Sequence, residues 1–193
     1  MIVYLHGFRS SPASRKAVML RDRLSALGRG AEFRCPALPA SPRAAAEIAL
    51  AETQEAPVGE LSLIGSSLGG FYATWLAERV GCRAALLNPA IDPARDLEGH
   101  VGRQPVYFSD DEIDFRPEFL AELQALETPV TRPDRYFLLA ATGDSVIDYR
   151  TMVAKYAGAR QHLIEGSNHE LTDFASYMDE VLAFCGITPG GTN

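Results

Sequence analysis

Cysteine is scarce in this chain: Cys35, Cys82 and Cys185 stand far apart among 193 residues. An odd count without C-x-x-C spacing fits neither a disulfide framework nor a zinc site, and reads as reduced thiols in a cytoplasmic protein. Lysine is rarer still, since Lys16 and Lys155 are the only two among 18 basic residues. Acidic residues outnumber basic ones, for a net charge of −7. A nucleic-acid partner needs a basic face against phosphates and is not expected. No apolar run approaches the ~18 residues of a membrane span. The opening Met1-Ile2-Val3-Tyr4-Leu5 turns at His6-Gly7, without the basic start and apolar stretch of a secretory signal. Internal repeats, a Walker lysine and a G-x-G-x-x-G run are all missing.

Hydrophobic residues make up 47% of the chain and charged residues 22%, which suits a globular domain and is too apolar for a disordered one. A folded chain of this size exposes about 9,000 Å² against about 30,000 Å² unfolded, so it buries its core without a disulfide or metal staple. One domain over residues 1–187 is expected. The tail 188–193 has nothing apolar to bury and reads as loose.

Short apolar runs alternate with amphipathic segments of helical length. Strands are expected at 2–5, 31–35, 61–64, 84–87, 136–140 and 160–164. Ser11-Pro12 and Ser41-Pro42 each read as an N-cap followed by proline at the first helical position. Leu68, Tyr72, Trp75 and Leu76 mark one helical face, closed by Gly81. A last helix is expected on Leu171, Phe174, Met178, Val181 and Cys185. Between residues 90 and 133 the rhythm breaks, and only one good helix, about 117–126, is legible. Six strands separated by helices imply an α/β fold: a parallel sheet with helices on both faces and ligands at the carboxyl ends of the strands.

Gly65-Ser66-Ser67-Leu68-Gly69 follows the third strand and opens a helix. It reads as G-x-S-x-G, the nucleophile elbow. Glycines two residues either side relieve the clash of a tight strand-to-helix turn, and Ser67 is lifted above the sheet. Ser66 is flanked instead by Ile64 and Leu68. A glycine-rich turn cradling a phosphate is the competing reading. His169, in the loop after the sixth strand, is the candidate base. His162 lies within a strand and reads as packing or a solvated face. Asp144, in the turn after the fifth strand, is the favoured acid. Asp148 immediately precedes a helix and suits a cap instead, and Asp92 after the fourth strand is the third choice. His6-Gly7-Phe8 follows the first strand, so that the Phe8 amide joins the Leu68 amide as an oxyanion donor, with His6 holding the loop. No metal or cofactor is required.

Taken together, these motifs resemble the YqiA-like bacterial esterase family of the α/β-hydrolase superfamily. The matching stretches are Tyr4-Leu5-His6-Gly7-Phe8 with Ser10-Ser11-Pro12, Gly65-Ser66-Ser67-Leu68-Gly69-Gly70 running into Tyr72-Ala73-Thr74-Trp75-Leu76, Asn88-Pro89-Ala90, Thr142-Gly143-Asp144 with Asp148-Tyr149-Arg150, and Gly166 with Asn168-His169. The resemblance implies a minimal six-stranded sheet of order 2-1-3-4-5-6. It also implies a cytoplasmic serine esterase acting on short carboxylic esters or acyl-CoA thioesters, with Ser67 as nucleophile, Asp144 as acid and His169 as base. A thioesterase or peptidase using the same residues, a non-catalytic hydrolase-fold protein and a flavodoxin-like nucleotide binder are the alternatives. Residues 90–133 match poorly and stand where hydrolases insert a cap. There Phe115, Phe119, Leu120, Leu123 and Leu126 are available to pack or to line a pocket, and Asp110-Asp111-Glu112 with Asp114 reads as a solvated loop. Arg9, Arg15 and Lys16 are the residues that could meet CoA phosphates.

Overall fold

A computed structural model of the protein describes residues 1–107 and 109–188. The expected loose tail lies outside the described residues from 189 on. The main sheet is built from β1 (Ile2–Leu5), β2 (Phe33–Arg34), β3 (Ser62–Ser66), β4 (Arg83–Leu87), β7 (Tyr136–Ala141) and β8 (Arg160–Ile164). Between β4 and β7 runs a hairpin of β5 (Gly102–Pro105) and β6 (Glu112–Phe115). The six-stranded order is β2-β1-β3-β4-β7-β8, with every neighbouring pair parallel. Counted within the sheet alone, this is the expected order 2-1-3-4-5-6.

Helices α1 (Arg15–Ala26), α2 (Pro42–Thr53), α3 (Leu68–Val80), α4 (Pro93–Asp96), α5 (Glu118–Ala125), α6 (Tyr149–Lys155) and α7 (Met178–Phe184) cover the sheet. Successive strand residues point to opposite faces, and the core divides accordingly. Val3, Leu5, Leu63, Leu86, Leu138 and Ala140 meet the buried faces of α2, α3, α5 and α6. Ile2, Tyr4, Ile64, Leu87, Leu139 and Ala141 meet those of α1 and α7. All six residues of β7 are buried, because a strand covered on both sides has no solvated face.

Three expectations need correction. Ser11-Pro12 opens a turn, closed by the Ser14 amide on the Ser11 carbonyl at 3.0 Å, and α1 begins only at Arg15. Serine before proline suits that turn as well as it suits a helix cap. The second strand shrinks to two residues, because Gly30–Glu32 forms a 3₁₀ turn. The last helix is broken: Leu171 has a positive φ of 48°, a 3₁₀ turn covers Phe174–Ser176, and α7 starts at Met178. Leu171 and Phe174 are buried nonetheless, so their helical spacing marked the core and not a continuous helix.

The irregular stretch holds more than one helix. Besides α5 it contains the four-residue α4 and the β5–β6 hairpin. The hairpin escaped detection because its strands are only four residues long, one ends in Pro105, and mainly Ile113 and Phe115 turn inward. Phe115, Phe119 and Leu123 pack in the core, whereas Asp110, Asp111, Glu112 and Asp114 are exposed as expected.

The second capping motif holds. Ser41 Oγ accepts from the Ala44 amide at 3.3 Å and donates to Glu122 of α5 at 2.7 Å. Removing a serine cap costs about 1 kcal/mol. Ser41→Ala should therefore lower the unfolding free energy in urea by roughly 1–2 kcal/mol, because it also removes one of the two hydrogen bonds that tie Glu122 of α5 to the N-terminus of α2.

Candidate active site

Parallel strands end at one edge, and the turns that follow β1, β3, β4, β7 and β8 gather there. Ser67 occupies the turn between β3 and α3 with φ 54° and ψ −122°, a backbone that costs a side-chain-bearing residue of order 1–3 kcal/mol. Two glycines make the turn possible by bringing backbones together. A Cβ on Gly69 would stand 1.9 Å from the Leu5 carbonyl oxygen, and one on Gly65 would stand 2.3 Å from the Gly69 oxygen. The Ser67 amide donates to Leu87 of β4, and its carbonyl accepts from Ala90.

The three separated residues singled out in the sequence meet here. Ser67 Oγ lies 3.0 Å from His169 Nε2, and His169 Nδ1 lies 2.7 Å from Asp144 Oδ2. The partners assign the tautomer: Nδ1–H donates to the carboxylate, which leaves Nε2 to accept the serine proton. The Asp144 carboxylate is fully buried, while the imidazole keeps 21% exposure toward the cleft. Burial alone would raise the Asp144 pKa. The hydrogen bonds from His169 and from the Ile147 and Val146 amides outweigh it and hold the carboxyl below its ordinary value.

The rejected candidates have other partners. Asp148 caps α6 by accepting from the Arg150 amide at 3.0 Å, and Asp92 caps α4 through the Arg95 amide. His162 pairs with Glu180 at 2.7 Å. His6 is buried and donates through Nδ1 to the Gly7 carbonyl, while its Nε2 accepts from the Leu38 amide. Burial pushes its pKa down, against the opposing pull of the Gly7 carbonyl, so the ring is a neutral brace for the loop after β1. That loop sits against the serine, since a Cβ on Gly7 would stand 3.3 Å from Ser67 Cβ. Among the described residues, neither the Phe8 nor the Leu68 amide donates to a protein acceptor.

The hairpin is fastened to the same loop. Arg9 Nε donates to the Pro105 carbonyl at 2.6 Å, the Tyr107 amide donates to the Arg9 carbonyl, and the guanidinium lies over the Tyr107 ring. Phe8 packs edge-on against Phe115 and His100. A cavity of about 30 Å³ between Gly7, Phe8, Leu68, Tyr72, Leu38 and Ile113 opens beside the two amides. A groove of about 810 Å³ lies further along the edge, between Ile91, Glu127, Ile147 and Lys155. Lys16 is also engaged, donating to the Glu170 carbonyl at 2.6 Å. Sequence reasoning missed Asn88, Ile113 and His100. Only Asn88, in the Asn88-Pro89-Ala90 stretch, carried a motif that could have flagged it.

Three solved structures align along nearly the whole chain. A candidate hydrolase from Agrobacterium vitis S4 is 19% identical with a TM-score of 0.74, over 95% of this chain and 87% of its own. Mouse alpha/beta hydrolase domain-containing protein 10 is 18% identical with a TM-score of 0.68, over 96% and 87%. Est1E from Butyrivibrio proteoclasticus, solved with ferulic acid bound, is 15% identical with a TM-score of 0.66, over 96% and 86%. The fold is that of the α/β-hydrolases. A family model described as "Uncharacterised protein family (UPF0227)" matches residues 1–186, and the chain belongs to that family, the YqiA family that its motifs resemble. Among the described residues no helix is long and apolar enough to cross a membrane.

Two outcomes are expected from this geometry. Gly69→Ala drives a methyl into the Leu5 carbonyl and should cost roughly 3 kcal/mol or more, whereas Gly59→Ala meets nothing within 4 Å and should change the urea midpoint little. Asp144 binds its proton less readily in the folded chain than in the unfolded one. Its contribution to stability is therefore full above the ordinary value of 3.8 and is lost as pH falls through the lower folded value. Asp144→Asn should flatten the acid fall of the melting temperature, and an unchanged slope would contradict the shift.

Proposed function

We propose that this protein is a serine esterase that hydrolyses short-chain carboxylic esters through Ser67, His169 and Asp144. The observation that carries this reading is the unbroken series from Ser67 Oγ to His169 Nε2 to Asp144 at 3.0 and 2.7 Å. His169 takes the Ser67 proton as Oγ attacks the ester carbonyl. The Phe8 and Leu68 amides receive the developing oxyanion, which α3 favours by its N-terminal dipole. The imidazolium then protonates the departing alcohol. A water deprotonated by His169 attacks the acyl-enzyme, releasing the acid and restoring Ser67. Asp144 holds the ring in one tautomer and stabilises its charged form.

Residues 1–187 act as one domain in this reading, with residues 90–133 as a small cap over the site. The cavity lined by Phe8 and Leu68 is small, about 30 Å³, which favours a short acyl group over a long one. Arg9 and Lys16 each commit one nitrogen to a backbone carbonyl, Arg9 Nε to Pro105 and Lys16 Nζ to Glu170, which weighs against the thioester alternative. Free thiols at Cys35, Cys82 and Cys185 support a reducing compartment, the cytoplasm.

A fluorophosphonate should label Ser67 and no other serine, as read by peptide mapping. Label on Ser66, or none on folded protein, would sink the esterase reading and favour a binding protein. Asp144→Asn should lower kcat by about 10⁴-fold with the fold retained, while Asp148→Asn should leave it almost unchanged, because asparagine also caps helices. Four-carbon p-nitrophenyl esters should be cleaved with a higher kcat/KM than sixteen-carbon ones, and the reverse order would mean that the hairpin opens a deeper pocket.

A further inference from the structure

Asn88 follows β4 with a positive φ of 44° and no exposed surface. A buried asparagine must find partners for its amide, and these partners define its place. Its Oδ1 accepts from the Ala141 amide at 2.8 Å, at the end of the strand that leads to Asp144. That bond assigns the orientation of the amide. Its Nδ2 donates to the Asn168 carbonyl at 3.0 Å and to the His169 carbonyl at 3.1 Å. Its own amide donates to Leu139. The flanking residues hold the serine, since Leu87 accepts from the Ser67 amide and Ala90 donates to the Ser67 carbonyl. One buried side chain thus joins the segment that clamps the serine, the strand that carries the acid and the backbone of the histidine.

We propose that Asn88 is a positioning residue for the reaction: its carboxamide fixes the His169 backbone at the distance from which Nε2 reaches Ser67 Oγ. The inference rests on the serine-esterase reading. The loop that bears His169 needs such a tie. It is not helical and it turns at Leu171 with a positive φ. Its other ties include Lys16 on the Glu170 carbonyl, the Ser167–Asp173 hydrogen bond, the Gly166 amide on Thr142, the Asn168–Thr172 pair and the Leu171 amide on the Asn168 carbonyl. Among the described residues, only Asn88 reaches the His169 carbonyl. Replacing the amide by a carboxylate of the same shape sets an oxygen against two carbonyl oxygens. Replacing it by a methyl takes the donor from the His169 carbonyl and leaves the Asn168 carbonyl only the Leu171 amide. Either change releases the histidine relative to the serine without touching the cavity that would take the acyl group, and misplacement by about 1 Å costs about 100-fold in rate.

The test compares the unaltered protein with Asn88→Asp and Asn88→Ala. It reads the rate of fluorophosphonate labelling at Ser67, kcat and KM for p-nitrophenyl butyrate, and the thermal midpoint. The expected result is a folded variant in which labelling rate and kcat fall together by about 100-fold while KM stays close to that of the unaltered protein. Labelling and turnover within a few-fold of the unaltered protein would overturn the positioning role alone, as would a loss carried by KM with kcat intact. Failure of both variants to fold would also overturn it, since the amide would then serve the core and not the site. Absence of label at Ser67 in the unaltered protein would defeat the serine-esterase reading first and this inference with it.

Discussion

The backbone of α3 enters the sheet so closely that no side chain fits between Gly69 and the carbonyl of Leu5. Much of the site follows from that approach. It forces Ser67 into a positive-φ turn, starts α3 at Leu68 and brings the His6-Gly7-Phe8 loop against the serine. The approach is affordable because β1 and β3 pair in parallel over four residues, from Ile2 opposite Ser62 to Leu5 opposite Gly65. Both strands are buried throughout. Strain at the edge is balanced by apolar burial beneath it.

Strained backbone is concentrated around the same place. Among the described residues, the non-glycine positions with positive φ are Arg9, Ser67, Asn88 and Leu171. Each belongs to a turn after a different strand of the sheet: β1, β3, β4 and β8. Each is held by a specific contact: Arg9 by the hairpin, Ser67 by Leu87 and Ala90, Asn88 by its carboxamide, Leu171 by burial. The distance between Ser67 and His169 is thus set by turns that the surrounding structure over-determines. The hairpin adds a wall, because Arg9 ties it to the loop after β1 and Ile113 lines the small cavity.

Legibility in the sequence tracked how local each cause was. The elbow glycines were readable because a tight turn demands them within five residues. Asp148 and Ser41 were readable as caps because a cap acts on the next three residues. The break at Leu171 was not readable, since its apolar spacing with Phe174 and Val181 fits a helix equally well. The hairpin was hidden by its brevity and by exposed polar strands. The capping signature at Ser11-Pro12 was ambiguous because turns and helix starts use the same residues.

By itself the sequence determined the alternation of strand and helix, the parallel sheet and the residue types at its carboxyl edge, because hydrophobic periodicity and turn chemistry act over a few residues. Tertiary structure alone decided that Asn88 joins three elements, that a hairpin is fastened to the loop after β1, and that residues 67, 144 and 169 stand within hydrogen-bonding reach. Those contacts span 25 to 102 residues of chain, and only the packing of one strand against the next brings such distant positions together.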